Sequence, residues 1–567
     1  MSLSGETMQA SEELLARRPW VAHYQPGVPA EIEPQDHISL VDLWRHSRKT
    51  FAANVALESF GGRMTYAQLG AAADRVTAWL QGQGFRKGER AAIMAPNIMA
   101  YPAILIGILQ AGGVAVNINP LYTPRELEFQ VVDAKPRFLF VLENFGATVA
   151  AVRDRLGLEK IILIAPGDLL GAKGMIVNFI SRHVKKAVPK VDLPNALSFA
   201  TLLREGKDRT PEPVAIDGSD LAILQYTGGT TGSAKGAMLL HRNIAANIEQ
   251  SLVWFRQSLP DRPTMMVTAL PLYHIYALTA CFWFQMRNGG GCLLIANPRD
   301  IAGFIKTLQT RPFDTMAGVN TLYNVLADHP GLKKVDFSKV SYCTAGGMST
   351  QAAVARKWRQ VTGKAILEGY GLSETSPVLC GNRADIEEFT GTIGYPIPST
   401  DISIRDAMGA PVPMGEPGEI CARGPQVFAG YWDRPMSTEA AMTADGYFRT
   451  GDVGVMLPDG QVKIVDRLKD VIIVSGFNVY PNEIEDVLVE HPGVREAAVI
   501  GRPFDASGEE VVAFVVRRDP DLTERELRAF CRERLTGYKM PREFLFKEEL
   551  PKSNVGKVLR RNLKASQ

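Results

Sequence analysis

The sequence predicts an α/β protein: a large N-terminal domain of layered, largely parallel sheets, then a smaller α+β domain. Three observations carry this. Short apolar runs at 91–94, 114–116, 138–141 and 161–164 alternate with stretches of helical spacing, the pattern of strands buried between crossover helices. At 567 residues the chain is too long for one core. A charge-dense junction, Val465-Asp466-Arg467-Leu468-Lys469-Asp470, separates two apolar runs and divides residues 1–466 from 467–567.

Composition narrows the function classes. With 63 basic and 61 acidic residues there is no global field to attract nucleic acid, so any polyanion site must be local. Cysteines 281, 292, 343, 380, 421 and 531 form no C-x-x-C pair and no metal-ligand spacing, and read as buried free thiols of a reducing compartment. The first residues lack the basic start and apolar core of an export signal, so a cytoplasmic protein is expected.

Taken in order, 91–124 carries no charge, but prolines and glycines break it well short of the about 20 apolar residues of a spanning helix. It reads as strand, helix over 101–109, strand. Between 169 and 191 lie Lys173, Arg182, Lys185, Lys186 and Lys190 and no acid, with Ile176, Val177, Ile180, Val184 and Val188 at helical spacing. This pattern fits a helix lying on an anionic membrane surface, and equally a solvated helix packed on the protein itself.

Residues 226–236, Tyr-Thr-Gly-Gly-Thr-Thr-Gly-Ser-Ala-Lys-Gly, concentrate backbone freedom, hydroxyl donors and a cation. Consecutive N–H groups around Gly228, with Thr227, Thr230, Thr231 and Lys235, suit a polyphosphate. A Walker loop is excluded, because Lys235 is followed by Gly236 and not by a magnesium-ligating hydroxyl. Apolar runs at 221–224 and 237–240 make this a loop between two strands, with a helix starting near Asn243.

The uncharged stretch 265–286 is divided by Pro271 and His274 and reads as buried strand plus buried helix. His274 is a candidate catalytic residue, although a lone histidine in apolar company is commonly a core residue. A strand runs into Ala345-Gly346-Gly347. Then Gly369-Tyr370-Gly371 offers an aromatic ring open to stacking, and Glu374 a carboxylate able to hold magnesium. Asp452, after a tight turn, could accept two hydrogen bonds from a ribose diol. The C-terminal part has strands at 497–500 and 511–516 and ends in a glycine-lysine turn, Gly556-Lys557.

Taken together and in this order, these motifs resemble the adenylate-forming superfamily of acyl-CoA synthetases, non-ribosomal adenylation domains and luciferases. The stretches 270–278, 318–322 and 474–485 look most like bacterial long-chain fatty-acid–CoA ligases. The resemblance implies a barrel-like β part within the N-terminal ATP- and fatty-acid-binding domain, and a mobile C-terminal domain carrying the adenylation lysine. It implies ATP, Mg2+ and coenzyme A, a fatty acid as substrate, and two half-reactions through an acyl-adenylate.

By the same resemblance, Thr227, Gly228, Thr230, Thr231 and Lys235 surround the β and γ phosphates, with Thr230 and Glu374 on the metal. Tyr370 and Gly371 face adenine with Ala345, Gly346 and Gly347. Asp452 holds the ribose, with Arg467 nearby; Lys557 bridges carboxylate and α-phosphate; Lys469 is the hinge; Gly476 lies at the pantetheine tunnel. Medium-chain or aryl acyl-CoA ligation is the alternative within the superfamily. A non-catalytic acyl or nucleotide binder is disfavoured because Lys557, Glu374 and Asp452 are all retained. A homodimer and a peripheral position on the cytoplasmic face of the inner membrane, through 173–190, complete the expectations.

Ala345 stands where relatives often have a third glycine, Arg467-Leu468-Lys469 where they often have Arg-Lys-Lys, and Ser373 for a common threonine. These changes bear on rate or chain length, not on the reaction.

Overall fold

A computed structural model describes residues 18–227, 234–475, 477–504, 508–553 and 556–565. The expected layers are present as two large sheets. One has seven strands in the order Leu197–Ser198, Lys160–Ile164, Phe138–Leu142, Arg90–Met94, Val114–Asn117, Leu221–Thr227 and Lys235–Leu240, all parallel except the last pair. That closing antiparallel hairpin carries the glycine-rich loop at its tip.

The other sheet has nine strands, parallel from Val55–Ser59 through Gly291–Leu294, Met265–Thr268, Thr315–Gly318 and Tyr342–Ala345 to Ile366–Gly371, with antiparallel edges. Helix Ala100–Gln110 is buried on every side, which accounts for its lack of charge. The 265–286 stretch is a strand followed by a wide, π-type helix, Tyr276–Trp283, continuing as Phe284–Asn288. Among the described residues no helix is long and apolar enough to cross a membrane. All six cysteines are buried and unpaired.

The expected small β part is an antiparallel sheet of Asp401–Arg405, Gly418–Arg423, Phe448–Met456 and Val462–Arg467, whose Ile402 and Ile420 pack in one cluster with Leu379 of the nine-stranded sheet. Arg467 is its last strand residue; a short turn, Leu468–Asp470, leads to Ile472–Val474 in a separate five-stranded sheet. That smaller unit packs helix Pro481–Glu490 and strands Val494–Phe504, Gly508–Arg517 and Glu543–Lys547 around Ile484, Leu488, Val499 and Phe544.

The basic segment differs from its helical-wheel reading. A helix spans Ala172–Phe179 and widens into a π-type turn, Ile180–Val184, so Val188 and Lys190 lie beyond it. Val177 alone of the predicted stripe packs on the core, while Met175, Ile176, Phe179 and Val184 are 71%, 62%, 59% and 65% exposed. The chain is apolar on both sides of Val177, and only one side finds a neighbour.

Candidate active site

The hairpin of the seven-stranded sheet fixes both ends of the phosphate-loop candidate. Thr227 and Lys235 are paired across it, whereas Gly228, Thr230 and Thr231 lie outside the described residues, as does Gly476. Residues 428–432 run beside the second strand: Met238 N–H donates to Gly430 O at 2.9 Å, Ala429 N–H to Met238 O at 3.0 Å, and Trp432 N–H to Gly236 O at 2.8 Å. This added strand brings in a residue the sequence reading missed.

Tyr431 donates its hydroxyl to Glu374 Oε1 at 2.8 Å, and Lys235 Nζ lies 5.1 Å from the centre of its ring. Glu374, the tyrosine and the lysine therefore form one group. A glycine followed by two aromatics, Gly430-Tyr431-Trp432, was the only local signal for it. Burial holds the Glu374 carboxyl above its usual range, and the tyrosine hydroxyl partly opposes that shift.

The strands Tyr342–Ala345 and Ile366–Gly371 are parallel neighbours, which sets Ala345 beside Glu368. The turn continues through Gly346, whose N–H reaches Gly318 O at 3.4 Å, to exposed Gly347. Gly371 admits no side chain, since a Cβ there would lie 1.7 Å from Pro377 O. Buried Tyr370 donates its hydroxyl to Asp452 Oδ2 at 2.8 Å. Asp452 and Arg467 are cross-strand partners, with Nε 3.4 Å from Oδ1.

Lys557 comes from the smaller domain. Its neighbour Gly556 (φ +80°) presses on the first turn of helix Asn320–Asp328 so closely that a Cβ would sit 2.4 Å from Thr321 Oγ1. Burial, and then repulsion from Arg467, lower the Lys557 ammonium to about 7, while Asp452 opposes the shift. His274 is half-buried, with Nδ1 accepting from Tyr276 N–H at 3.3 Å. Burial and the nearby Lys557 lower it to about 4, so it is a neutral imidazole. Lys469 lies exposed in the turn Leu468–Asp470, near enough to add to the repulsion that lowers Lys557.

One carboxylate, Glu374, is thus joined through Tyr431 to Lys235, with acceptor capacity beyond the single hydroxyl it binds. Among the described residues no group of three or more His, Cys, Asp or Glu could hold a metal. A lone hard oxygen ligand fits magnesium, which keeps waters and shares its coordination with substrate phosphates.

Residues 44–432 match the family described as AMP-binding enzyme, and residues 483–557 match its C-terminal domain. The chain belongs to the AMP-binding enzyme family. It is 48% identical over 553 residues to a long-chain-fatty-acid–CoA ligase of Salmonella typhimurium, covering 97% of this chain and 98% of that protein. A protein of the same description from Bacillus subtilis is 36% identical over 552 residues, with 97% and 98% covered. Among solved structures, ATP-bound MatB from Rhodopseudomonas palustris superimposes with a TM-score of 0.81 at 28% identity, covering 93% of this chain and 98% of that one.

Proposed function

We propose that this AMP-binding enzyme is a long-chain fatty acid–CoA ligase that joins a fatty acid to coenzyme A at the expense of ATP. The observation that carries the reading is similarity to such ligases over 97% of this chain, with Lys557, Asp452, Tyr370 and Glu374 all present. In the first half-reaction a carboxylate oxygen bonds to the α-phosphorus, and the bond from that phosphorus to the bridging oxygen breaks and releases pyrophosphate. In the second, the thiol sulfur bonds to the acyl carbon, AMP leaves, and the thiol proton is lost.

The residues divide this work by position. Tyr370 would support adenine and Asp452, steadied by Arg467, the ribose. Thr227 and Lys235 would hold the departing phosphates, and Lys557 would offset the charge building between carboxylate and α-phosphate. Glu374 would hold a magnesium ion, which when bound neutralises the phosphates. Neutral His274 would line the acyl carboxylate's approach without competing for its charge. With the boundary at 466/467, the small domain would turn about Lys469 between the half-reactions, withdrawing Lys557 and bringing residues 475–476 to coenzyme A.

Activation of octanoate and palmitate, followed by pyrophosphate and AMP release, tests this reading. Preference for palmitate is expected; preference for octanoate would overturn the long-chain assignment, and ADP as product the whole reading. Lys557→Ala should depress adenylation far more than thioester formation from preformed acyl-AMP.

A second contact, with an anionic bilayer, is favoured by the exposed side chains Met175, Ile176 and Phe179 beside Lys185 and Lys186. Lys173 Nζ donates to Gly61 O at 2.6 Å, which sets this helix against the hairpin carrying Phe60, itself 51% exposed. Apolar side chains flanked by lysines suit the boundary between headgroups and acyl chains. The chain should sediment with phosphatidylglycerol vesicles, and replacing Met175, Ile176 and Phe179 by serine should abolish this. Undiminished sedimentation of that variant would refute the contact.

A further inference from the structure

Asp466 takes no part in the reaction above, yet its side chain is fully buried at the junction of the two domains. Oδ1 accepts from Arg467 N–H at 2.7 Å and lies 3.3 Å from Arg560 Nη1. Oδ2 accepts from Asn482 N–H at 2.7 Å. Asn482 belongs to the first turn of helix Pro481–Glu490, where backbone N–H groups have no helix carbonyl to bind. Asn482 Nδ2 also donates to Val465 O at 3.2 Å, so the helix start is tied to the last strand of the large domain twice.

Arg560 follows Lys557 by one helical turn's worth of chain, and it is shared. Glu485, at 2.8 Å, and Asp470, at 3.2 Å, hold it from the small-domain side of Lys469, and Asn482 Oδ1 accepts from Nη2 at 2.7 Å. Among the described residues, Asp466 is its one ion-pair partner on the other side of that turn. Rotation about Lys469 would leave Arg560 with Glu485 and Asp470 while stripping Asp466 of both donors from the small domain. The asymmetry means that the bonds to Asp466 exist in one arrangement, and it is the one that sets Lys557 beside Asp452 and Arg467.

We propose that Asp466 is a positioning residue, a latch that holds the small domain in the adenylating arrangement and must let go before thioester formation. This rests on the two-arrangement reading above. Asp466→Asn keeps the shape and an acceptor for Asn482 but loses the charge toward Arg560. Pyrophosphate release from ATP and palmitate without coenzyme A should fall about ten- to hundredfold, the span of a lost charge-assisted bond. Conversion of preformed palmitoyl-AMP to thioester should stay the same or quicken, because nothing then resists the turn. Arg560→Lys, which keeps a cation for Glu485 and Asp470, should show the same split, and it decides the matter if Asp466→Asn does not fold.

Equal losses in the two half-reactions would overturn the latch and leave Asp466 a structural residue. Lys557→Ala separates the two levels. If that variant spares thioester formation and Asp466→Asn does not, the latch alone fails. If Lys557→Ala depresses both half-reactions equally, the two-arrangement reading fails and takes the latch with it.

Discussion

Tyr370 donates its hydroxyl to Asp452 at 2.8 Å, so the ring assigned to adenine and the carboxylate assigned to ribose are one unit. Tyr370→Phe keeps the ring but frees Asp452, which still has Arg467 at 3.4 Å. A hydrogen bond to a charged group contributes about 1.5–3 kcal/mol, and the remaining partner reduces the loss, so KM for ATP should rise about tenfold or less. Tyr370→Ala also removes stacking, about 1–3 kcal/mol more, and should raise it at least about tenfold further. KM for the fatty acid should not move in either variant; a parallel rise would argue against the assignment.

The alkaline limb of adenylation should come from Lys557. Burial and Arg467 lower its ammonium to about 7, and only the charged form can offset the transition-state charge. In the free enzyme kcat/KM for ATP should therefore be full below pH 7 and fall about tenfold per unit as pH rises through that value. Bound ATP brings negative charge that favours the ammonium, so the limb in kcat should lie higher. Lys557→Arg should flatten the limb whatever its overall rate; an alkaline limb that persists in this variant would assign the titration elsewhere.

Glu374 and Tyr431 should separate charge from orientation. Glu374→Gln retains an acceptor for the tyrosine hydroxyl but removes the charge that suits magnesium, and adenylation should drop at least about a hundredfold at any magnesium concentration. Tyr431→Phe leaves the carboxylate charged and should cost about tenfold or less, recoverable by raising magnesium. Titrating magnesium against pyrophosphate release distinguishes the two, and equal, unrecoverable losses would contradict the division.

Local pattern carried the strands and the motifs; long-range pairing was hidden. The run 91–94 and the helix near 101–109 appear as Arg90–Met94 and Ala100–Gln110 because burial on all sides leaves an unbroken apolar signal. Tyr431 was missed because it is brought to Glu374 and Lys235 by a strand-like addition from residues far along the chain, which no spacing encodes. Asp466 read as part of a charged junction, and only the fold shows it buried, with donors from Asn482 and Arg560. The 173–190 segment gave its helix but not its outward side, since a periodicity does not say which neighbour is missing.

Gly556 sets where Lys557 reaches. Its φ of +80° is one that glycine adopts freely, and a Cβ would lie 2.4 Å from Thr321 Oγ1, closer than two such atoms approach. Gly556→Ala must therefore move the turn off Thr321 as well as strain its own backbone, by about 1–2 kcal/mol for the left-handed region. Adenylation should fall at least about tenfold while thioester formation from acyl-AMP persists, because under the proposed rotation the turn leaves this surface for that step. Thr321→Gly in the same chain relieves the contact but not the backbone strain, so it should restore part of the loss and not all of it. Full restoration would assign the whole effect to the contact, no restoration would assign it to the backbone, and an undiminished Gly556→Ala rate would remove Thr321 from the adenylating arrangement altogether.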